Sequence, residues 1–436
     1  MVVLFVLFSL VVVIFGISQA IYGTWLSPFN IFLSIWLIII AFYLLDSILN
    51  IWGYLPLSQE AWLLIATSLL SFFMASLSSA LFHIAVKRHT LRRGVTARFS
   101  SDLQFYLPRL SSIAYLCLFI SFIGTAVKWF TLFSVFENPL AMIGEIRKQA
   151  VYYGEFSFGI LVELLRFFGI AGMFLWGVVI GKDRKTKWWL LAIMNFVTLF
   201  FNDLSTGSRG TTFHGFVLFI IAYLLVRFSI TGKAPLKNLI ASSVATFFVI
   251  LILFTINRLR GDKVVGVFMT DFLKLSYLYV TGPLPAFDQS LPIMENAVPL
   301  QYLLGGVYRS LNSISTSLGF SEIFLLSKEY YPDVFIGPQN FNTVPWLSYI
   351  YSDLGIMGVI LVPYIIGWFS THTFFRYKSN PTLLSFTILT LVYTYLVFTP
   401  RGTLTSWISF WFLGVFLTTL SLYLQKKLRR ARVVSV

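Results

Sequence analysis

Long runs of apolar residues, separated by short polar segments, dominate the pattern along the chain. A run of about 17 to 25 apolar residues is long enough for a helix to cross a bilayer. The pattern predicts about eleven such helices, near residues 2–22, 29–49, 61–86, 109–134, 158–181, 188–203, 211–230, 238–257, 346–372, 382–398 and 403–424. The sixth run is short, and Asn202 and Asp203 lie at its end. We therefore expect an all-α fold, a polytopic transmembrane helical bundle.

The composition also indicates a membrane protein. Hydrophobic residues make up 58% of the 436 residues and charged residues only 11%, whereas soluble domains carry about 25% charged residues. Residues 1–22 lack a basic N-terminal region and are long enough to span, so we expect a membrane helix there and not a cleaved signal. Cys117 is the single cysteine, which excludes a disulfide framework and a cysteine metal site.

Positive charge collects in loops that would share one side of the membrane. Short loops rich in lysine and arginine stay in the cytoplasm. The basic segments that alternate correctly with the predicted helices are 87–99, 182–187, 227–237, 376–380 and 425–432. This alternation places the C-terminus in the cytoplasm and, by counting back, the N-terminus outside. The net charge of +15 is then a signature of topology and does not indicate nucleic acid binding.

On this topology the chain has three parts. Residues 1–257 carry helices one to eight, residues 258–345 form a large external segment, and residues 346–436 carry the last three helices and a basic tail. The external segment mixes aromatic stretches with turn signals, and we expect short interfacial helices that form a cap. Its tyrosines, with Asn342 and its polar neighbours, could stack on and hydrogen-bond sugars, although an interfacial aromatic belt explains them equally well.

A polar turn with one fixed charge precedes the seventh helix. Its sequence at 205–212 is STGSRGTT, with Arg209 just before Gly210. Exposed amides at a helix N-terminus attract an anion, and a guanidinium can bind a phosphate through two N–H groups. The alternative is that the hydroxyl groups cap the helix while Arg209 reaches a lipid headgroup.

Three further arginines fall on the outer side of the predicted membrane: Arg258, Arg260 and Arg401. Arg260 and Arg401 each precede a glycine, as Arg209 does. Four outer cations oppose the positive-inside pattern, and an anionic ligand is the simplest explanation. External acids such as Asp203 and Asp262 are alternative partners for some of them.

Few charged residues lie inside the predicted helices. Asp353 is about two turns inside the ninth helix, where an acid is costly and usually functional or paired. Glu163 and Arg166 are spaced i, i+3, which favours a structural ion pair. The middles of the spans are otherwise nearly uncharged, which argues against a proton-coupled or sodium-coupled carrier.

The sequence gives no indication of a metal or nucleotide site. It contains no phosphate-binding loop, dinucleotide fingerprint, zinc motif or acidic pair for a metal-bound sugar nucleotide. The histidines are scattered over both predicted sides of the membrane: His83, His89, His214 and His372. His214 is one turn beyond Arg209, and a lone histidine of this kind is more often a hydrogen-bonded helix residue than a catalyst. We expect no metal and no cofactor.

The order of these features resembles Wzy-type oligosaccharide repeat-unit polymerases. The resemblance consists of TGSRG, an arginine pair after the next helix, and a long external segment that ends in FNTVPWLSYIYSDLGIMG. It covers roughly residues 202–367, while the first 200 residues match only as hydrophobic helices. Such sequences often have Asp-Phe-Gly where this chain has Asp353-Leu354-Gly355.

The resemblance implies a GT-C-like membrane glycosyltransferase that needs neither a metal nor a nucleotide sugar. Such enzymes join undecaprenyl-diphosphate-linked repeat units outside the bacterial cytoplasmic membrane, moving the growing glycan onto the non-reducing end of the next unit. The expected partners are the lipid-linked oligosaccharide, the bilayer and a chain-length regulator. On this basis we assign diphosphate binding to Arg209, Arg258, Arg260 and Arg401. Asp353 is the first candidate for the base, followed by Asp203 and His214, and Asn342 and Thr343 would position the substrate.

Three other functions stay open at this point. A glycan ligase of the O-antigen type also binds a lipid diphosphate outside the membrane but transfers its glycan once, to a different acceptor. A flippase for lipid-linked sugars would carry charged residues through the bundle interior and an internal repeat, neither of which is clear here. A structural membrane scaffold would not require clustered outer arginines.

Overall fold

The computed structural model describes residues 2–86, 95–147, 158, 160–231, 268–292, 300–317, 319–324, 334–336, 339–341, 343–402, 404 and 408–434. Its helices are α1 (Val2–Tyr22), α2 (Pro28–Leu49), α3 (Gln59–Val86), α4 (Val95–Val135), α5 (Ile143–Arg147), α6 (Ile160–Lys182), α7 (Thr186–Leu204), α8 (Gly210–Thr231), α9 (Phe268–Thr281), α10 (Pro283–Ser290), α11 (Gly305–Ser317), α12 (Trp346–Ser379), α13 (Leu383–Phe398) and α14 (Ile408–Val434). Two short strands, β1 (Val334–Ile336) and β2 (Gln339–Phe341), and a 3₁₀ turn (Thr399–Arg401) complete the described elements.

The observed helices agree with the predicted apolar runs. Each predicted run corresponds to a helix except 238–257, which lies outside the described residues. Within the described ranges, seven helices are long and apolar enough to cross a membrane. The protein is therefore an all-α, multi-pass membrane protein whose environment is a lipid bilayer.

Two helices extend further than their apolar runs. α4 begins at Val95, well before residue 109, because Phe99 and Leu103 recur at helical spacing and are buried. α14 continues to Val434 through the basic segment at 425–432, and Leu424 and Leu428 are buried on one of its faces. Amphipathic packing thus continues both helices beyond the segments that hydrophobicity marks.

The chain forms two compact units, and each combines distant parts of the sequence. Unit 1 contains Met1–Leu91, Leu273–Asn380 and Tyr395–Trp411. Unit 2 contains Arg92–Phe272, Pro381–Thr394 and Phe412–Val436. Because each unit takes chain from before and after the external segment, its core depends on long-range contacts.

In unit 1, α3 packs along α12 at close range. A Cβ atom at Gly367 of α12 would lie 2.7 Å from the backbone oxygen of Phe72. The hydroxyl of Ser71 donates to the backbone oxygen of Ile360 at 2.5 Å. Small residues and hydroxyl groups therefore bring the two backbones together, as in other membrane helix pairs.

In unit 2, α6 is the central helix and packs against α4, α7 and α8. A Cβ atom at Gly177 would lie 2.6 Å from the backbone oxygen of Phe219 on α8. The Asn195 amide on α7 donates to the backbone oxygen of Gly169 on α6 at 2.8 Å. The glycines allow this close packing because any side chain there would separate the helices.

The described part of residues 258–345 contains short helices, as predicted, and one element that was not predicted. Strands β1 and β2 form an antiparallel hairpin in which Val334 pairs with Phe341. The sequence indicated only turns here. The segment is attached to the 50–60 region of unit 1, where the backbone N–H of Ser58 donates to Asp288 at 2.9 Å and Tyr54 hydrogen-bonds Thr281 at 2.8 Å.

Candidate functional site

In unit 2, the turn that carries Arg209 is well defined by backbone hydrogen bonds. α7 ends at Leu204 and α8 begins at Gly210. Gly207 has φ +59°, which a glycine adopts without strain. The N–H of Ser208 donates to the backbone oxygen of Asp203 at 2.8 Å, and the backbone oxygen of Arg209 accepts from Phe213 at 3.2 Å. Arg209 therefore directly precedes the first turn of α8, with its side chain half-buried.

Asp203 lies at the amide end of α8. Its carboxylate is 1% exposed and accepts the backbone N–H of Thr212 at 2.7 Å. A carboxylate in this position caps the helix and interacts favourably with its dipole. The expectation of exposed amides at this turn is corrected, because Asp203 already takes one of the donors that an external anion would use.

His214 lies one turn further along α8 and is fully buried. The neighbouring Gly215 faces α6 and α7, since a Cβ atom there would lie 2.8 Å from Leu199 and 3.2 Å from Met173. His214 is thus part of the packed interior of unit 2. As a base it could act only on a proton that reaches this interior.

A partly buried network of charged residues connects three helices of unit 2. The Lys128 ammonium on α4, whose side chain is 0% exposed, lies 2.6 Å from the Glu163 carboxylate on α6. Glu163 also pairs with Arg166 at 2.8 Å, which confirms the predicted i, i+3 pair. Lys128 further approaches the side-chain oxygen of Asn202 on α7 at 3.4 Å.

Sequence reasoning missed Lys128, although its position offered a signal. A lysine within an apolar run is expensive to bury alone and usually has a carboxylate partner. Its neighbours Asn202 and Asp203 end α7, so the network lies next to the chain that leads into the Arg209 turn. Asp203 is also within electrostatic range of Lys128 and Arg166.

In unit 1, Asp353 on α12 holds the backbone at Tyr302 and Leu303. Its two carboxylate oxygens accept the backbone N–H groups of Leu303 at 2.8 Å and Tyr302 at 3.2 Å. The side chain is half-buried. Two residues further on, Gly355 interrupts α12 with φ +59° and ψ −153°, a conformation that is essentially restricted to glycine. The Asp353-Leu354-Gly355 sequence thus marks a break in a membrane helix.

Arg401 lies in the 3₁₀ turn after α13 and its side chain is exposed. The guanidinium is 5.4 Å from the centroid of the Tyr279 ring on α9, a cation–π distance. The adjacent Gly402 has φ +136°, and a Cβ atom there would lie 3.7 Å from the Tyr349 ring. Tyr349 is in turn 6.0 Å from Tyr302, ring to ring.

These contacts place Arg401 and Asp353 in one neighbourhood of unit 1. Tyr302 contributes a backbone N–H to Asp353 and a ring to Tyr349, which lies beside the turn that carries Arg401. We use the name tyrosine cluster for Tyr279, which contacts the Arg401 guanidinium, together with the ring pair Tyr302 and Tyr349, which borders Gly402. It joins an exposed cation to a half-buried carboxylate, which the sequence separates by almost fifty residues.

The other predicted site residues are distributed as follows. Thr343 precedes α12 in unit 1 and is half-buried. Arg258, Arg260 and Asn342 lie outside the described residues. The structure therefore groups Thr343, Asp353 and Arg401 in unit 1, and Asp203, Arg209 and His214 in unit 2.

Two of the histidines form a pair that the sequence did not reveal. The Nε2 atom of His83 on α3 lies 3.0 Å from the Nδ1 atom of His372 on α12. His372 stacks on Trp368 at 5.1 Å, and His83 stacks on Phe375 at 5.2 Å. The sequence distributed the four histidines over both predicted sides of the membrane and did not indicate that these two are in contact. Their separation by 289 positions gave no local signal.

Within the part of the chain that the structure describes, no group of three or more His, Cys, Asp or Glu side chains is arranged to hold a metal ion. The chain was also compared with known proteins. No family model matches it, and neither a curated protein nor a solved structure does.

Proposed function

We propose that this protein polymerises undecaprenyl-diphosphate-linked oligosaccharide repeat units at the outer side of the bacterial cytoplasmic membrane. The growing glycan leaves its lipid diphosphate and joins the non-reducing end of the next lipid-linked unit, without a metal ion. The C-terminus faces the cytoplasm in this proposal, and the site faces the periplasm or the cell exterior. A chain-length regulator is the expected protein partner.

One observation carries the proposal: the tyrosine cluster joins Arg401 to Asp353. Transfer from a diphosphate needs a cation for the departing group and a base for the incoming hydroxyl. Arg401 is exposed and Asp353 is half-buried, so both are open to a substrate. The resemblance of the surrounding sequence to Wzy-type polymerases supports the same reaction.

Arg401 and Asp353 have different roles in the proposed reaction. The acceptor hydroxyl attacks the anomeric carbon of the growing glycan, and the bond from that carbon to the diphosphate oxygen breaks. The proton of the hydroxyl passes to Asp353, while the diphosphate departs with negative charge. A guanidinium can meet that charge through two parallel N–H groups and stays protonated throughout, so it can serve where other enzymes use Mg²⁺.

Asp353 remains the first candidate for the base. Each of its carboxylate oxygens accepts one amide and has a further lone pair. Asp203 and His214, by contrast, are buried in unit 2. We therefore rank Asp353 above Asp203 and His214. Arg209 lies in unit 2 and stays a separate candidate for binding the diphosphate.

The test is an assay with purified protein in detergent, undecaprenyl-diphosphate repeat unit from the source strain, a chelator and no nucleotide sugar. We expect a ladder of repeat units on a gel. Arg401→Ala and Arg209→Ala should each lower the rate by about 100-fold, the size of effect seen when one donor to a developing negative charge is removed. Arg401→Lys keeps the positive charge but lacks the paired N–H groups of a guanidinium. Its rate should lie between those of the wild type and Arg401→Ala.

Arg376→Gln is the matched control, because Arg376 is exposed in the last turn of α12. It should leave the ladder unchanged. A full ladder from Arg401→Ala and Arg209→Ala at normal protein level would refute the arginine assignment. A single transfer to a different acceptor would indicate a ligase. Binding of the lipid substrate without any transfer would favour a flippase.

A further inference from the structure

The partly buried network of unit 2 includes Arg166, a cation to which the proposed function assigns no role. We propose that Arg166 is a second diphosphate-binding guanidinium beside the Arg209 turn, and that Glu163 and Lys128 hold it in position. This inference rests on the proposed function, since it names further residues for the same substrate. Arg166 would touch the diphosphate, whereas Lys128 is a positioning residue.

The Arg166 guanidinium has an acceptor for only part of its N–H groups. One terminal nitrogen is 2.8 Å from Glu163. The Nε atom is buried and has no hydrogen-bond partner among the described residues. A buried N–H without an acceptor costs free energy, and a phosphate oxygen would supply that acceptor. The side chain as a whole is 29% exposed, so a ligand can approach the group.

Glu163 is held by two cations from different helices. Its two carboxylate oxygens bind different cations, one Lys128 at 2.6 Å and the other Arg166 at 2.8 Å. Lys128 is completely enclosed and cannot itself meet a substrate. Lys128 instead occupies one carboxylate oxygen of Glu163. Glu163 therefore orients Arg166 through its other oxygen alone, and the remaining N–H groups of the guanidinium are left for a ligand.

Contacts within unit 2 connect the network to the turn that carries Arg209. Lys128 reaches Asn202, and Asn202 immediately precedes the aspartate that caps α8. The N–H of Ser208 binds the backbone of that same aspartate, Asp203. A chain of contacts within unit 2 therefore connects Arg166 to the turn that carries Arg209. A diphosphate presents two phosphate groups, and in this proposal each guanidinium binds one of them.

The experiment measures the binding of farnesyl diphosphate, a short soluble polyprenyl diphosphate, to the full-length protein in phosphatidylcholine nanodiscs. We expect Arg166→Gln to weaken binding by about 10- to 100-fold, as for the loss of a charge-assisted contact. Arg166→Lys should retain the ion pair with Glu163 and weaken binding less. Arg184→Gln is the matched control, because Arg184 is exposed beyond the opposite end of α6 and should bind as wild type.

The role of Lys128 is tested by a double-mutant cycle. If Lys128 acts through Arg166, Lys128→Met should weaken binding, and Lys128→Met combined with Arg166→Gln should be no weaker than Arg166→Gln alone. Additive losses would overturn the positioning role. If Arg166→Gln does not fold, the decision rests on Arg166→Lys, and wild-type affinity in that variant would overturn the proposal.

The outcomes separate this inference from the proposed function. Normal binding by Arg166→Gln with weakened binding by Arg209→Ala would remove the inference and leave the function. Weakened binding by Arg166→Gln with no ladder from the wild-type protein would keep the diphosphate site and remove the polymerase. Equal competition from added phosphatidylglycerol would show a site for lipid phosphate in general, which overturns the assignment to a diphosphate.

Discussion

The carboxylate of Asp353 accepts the backbone N–H of Leu303 at 2.8 Å, so a residue of a membrane helix holds a turn of the segment that precedes it. Sequence reasoning assigned this acid to catalysis because a carboxylate inside a span is costly. The contact gives it a structural role as well. Any test of the base must therefore separate the loss of a proton acceptor from the loss of the turn at residues 300–304.

Asp353→Asn should make this separation. An asparagine keeps one carbonyl oxygen for the amide of Leu303, loses the longer contact with the amide of Tyr302, and cannot take a proton from the acceptor hydroxyl. We expect the rate of glycan transfer to fall by at least about 100-fold, with the affinity for farnesyl diphosphate within about twofold of wild type. Single-turnover kinetics and binding measure the two effects. An unchanged rate would eliminate Asp353 as the base.

Lys128→Met should destabilise unit 2, because it leaves the Glu163 carboxylate with one cation in place of two. Breaking a buried ion pair costs about 3 kcal/mol. The double variant Lys128→Met with Glu163→Gln should recover part of this loss, since the charge that then lacks a partner, Arg166, is 29% exposed and can be solvated. Unfolding in SDS measures all three proteins. A double variant less stable than Lys128→Met would contradict this explanation.

Gly355→Ala should disturb α12 through the backbone alone. Among the described residues, no atom lies within 4 Å of the position that a Cβ would take, so none of them would clash with it. The φ of +59° with ψ −153° is nevertheless costly for alanine, by about 1 to 3 kcal/mol. We expect lower stability and easier proteolysis near Leu303, because Asp353 lies two residues before the break. Wild-type protease resistance would argue against this coupling.

Gly177→Ala should loosen the contact of α6 with α8. Its Cβ would lie 2.6 Å from the backbone oxygen of Phe219, so the helices must separate. We expect a loss of about 1 to 3 kcal/mol, as for other overpacked interiors. Gly414→Ala is the control within unit 2, since no atom in the described ranges lies within 4 Å of its Cβ position. Equal behaviour of the two variants in SDS unfolding would count against close glycine packing.

His83 and His372 should be energetically coupled. Replacing either by leucine removes the hydrogen bond between the rings, so the effects of the two replacements should not add. We expect a coupling of about 1 kcal/mol, the net value of a typical hydrogen bond. The measurement is a double-mutant cycle in SDS unfolding. Additive losses would mean that the 3.0 Å contact contributes nothing to the packing of α3 on α12.

The sequence by itself determined the class of this protein and most of its helices. Apolar runs of sufficient length marked the helices because a bilayer requires every backbone group of a spanning segment to be satisfied within that segment. The helix ends were less well determined. α4 and α14 continue beyond their apolar runs because Phe99 and Leu428 are buried by neighbours that the chain supplies from elsewhere.

The contacts of the candidate residues were likewise predicted in part from the sequence and decided in part by the tertiary structure. Local spacing was enough to predict the pair of Glu163 with Arg166, because residues three apart share a helix face. Only the tertiary structure added Lys128 to that pair, brought His83 to His372 and joined Asp353 to Leu303. These contacts link residues that lie between 35 and 289 positions apart. Helix periodicity carries no information at such distances, so packing alone decided which polar groups meet.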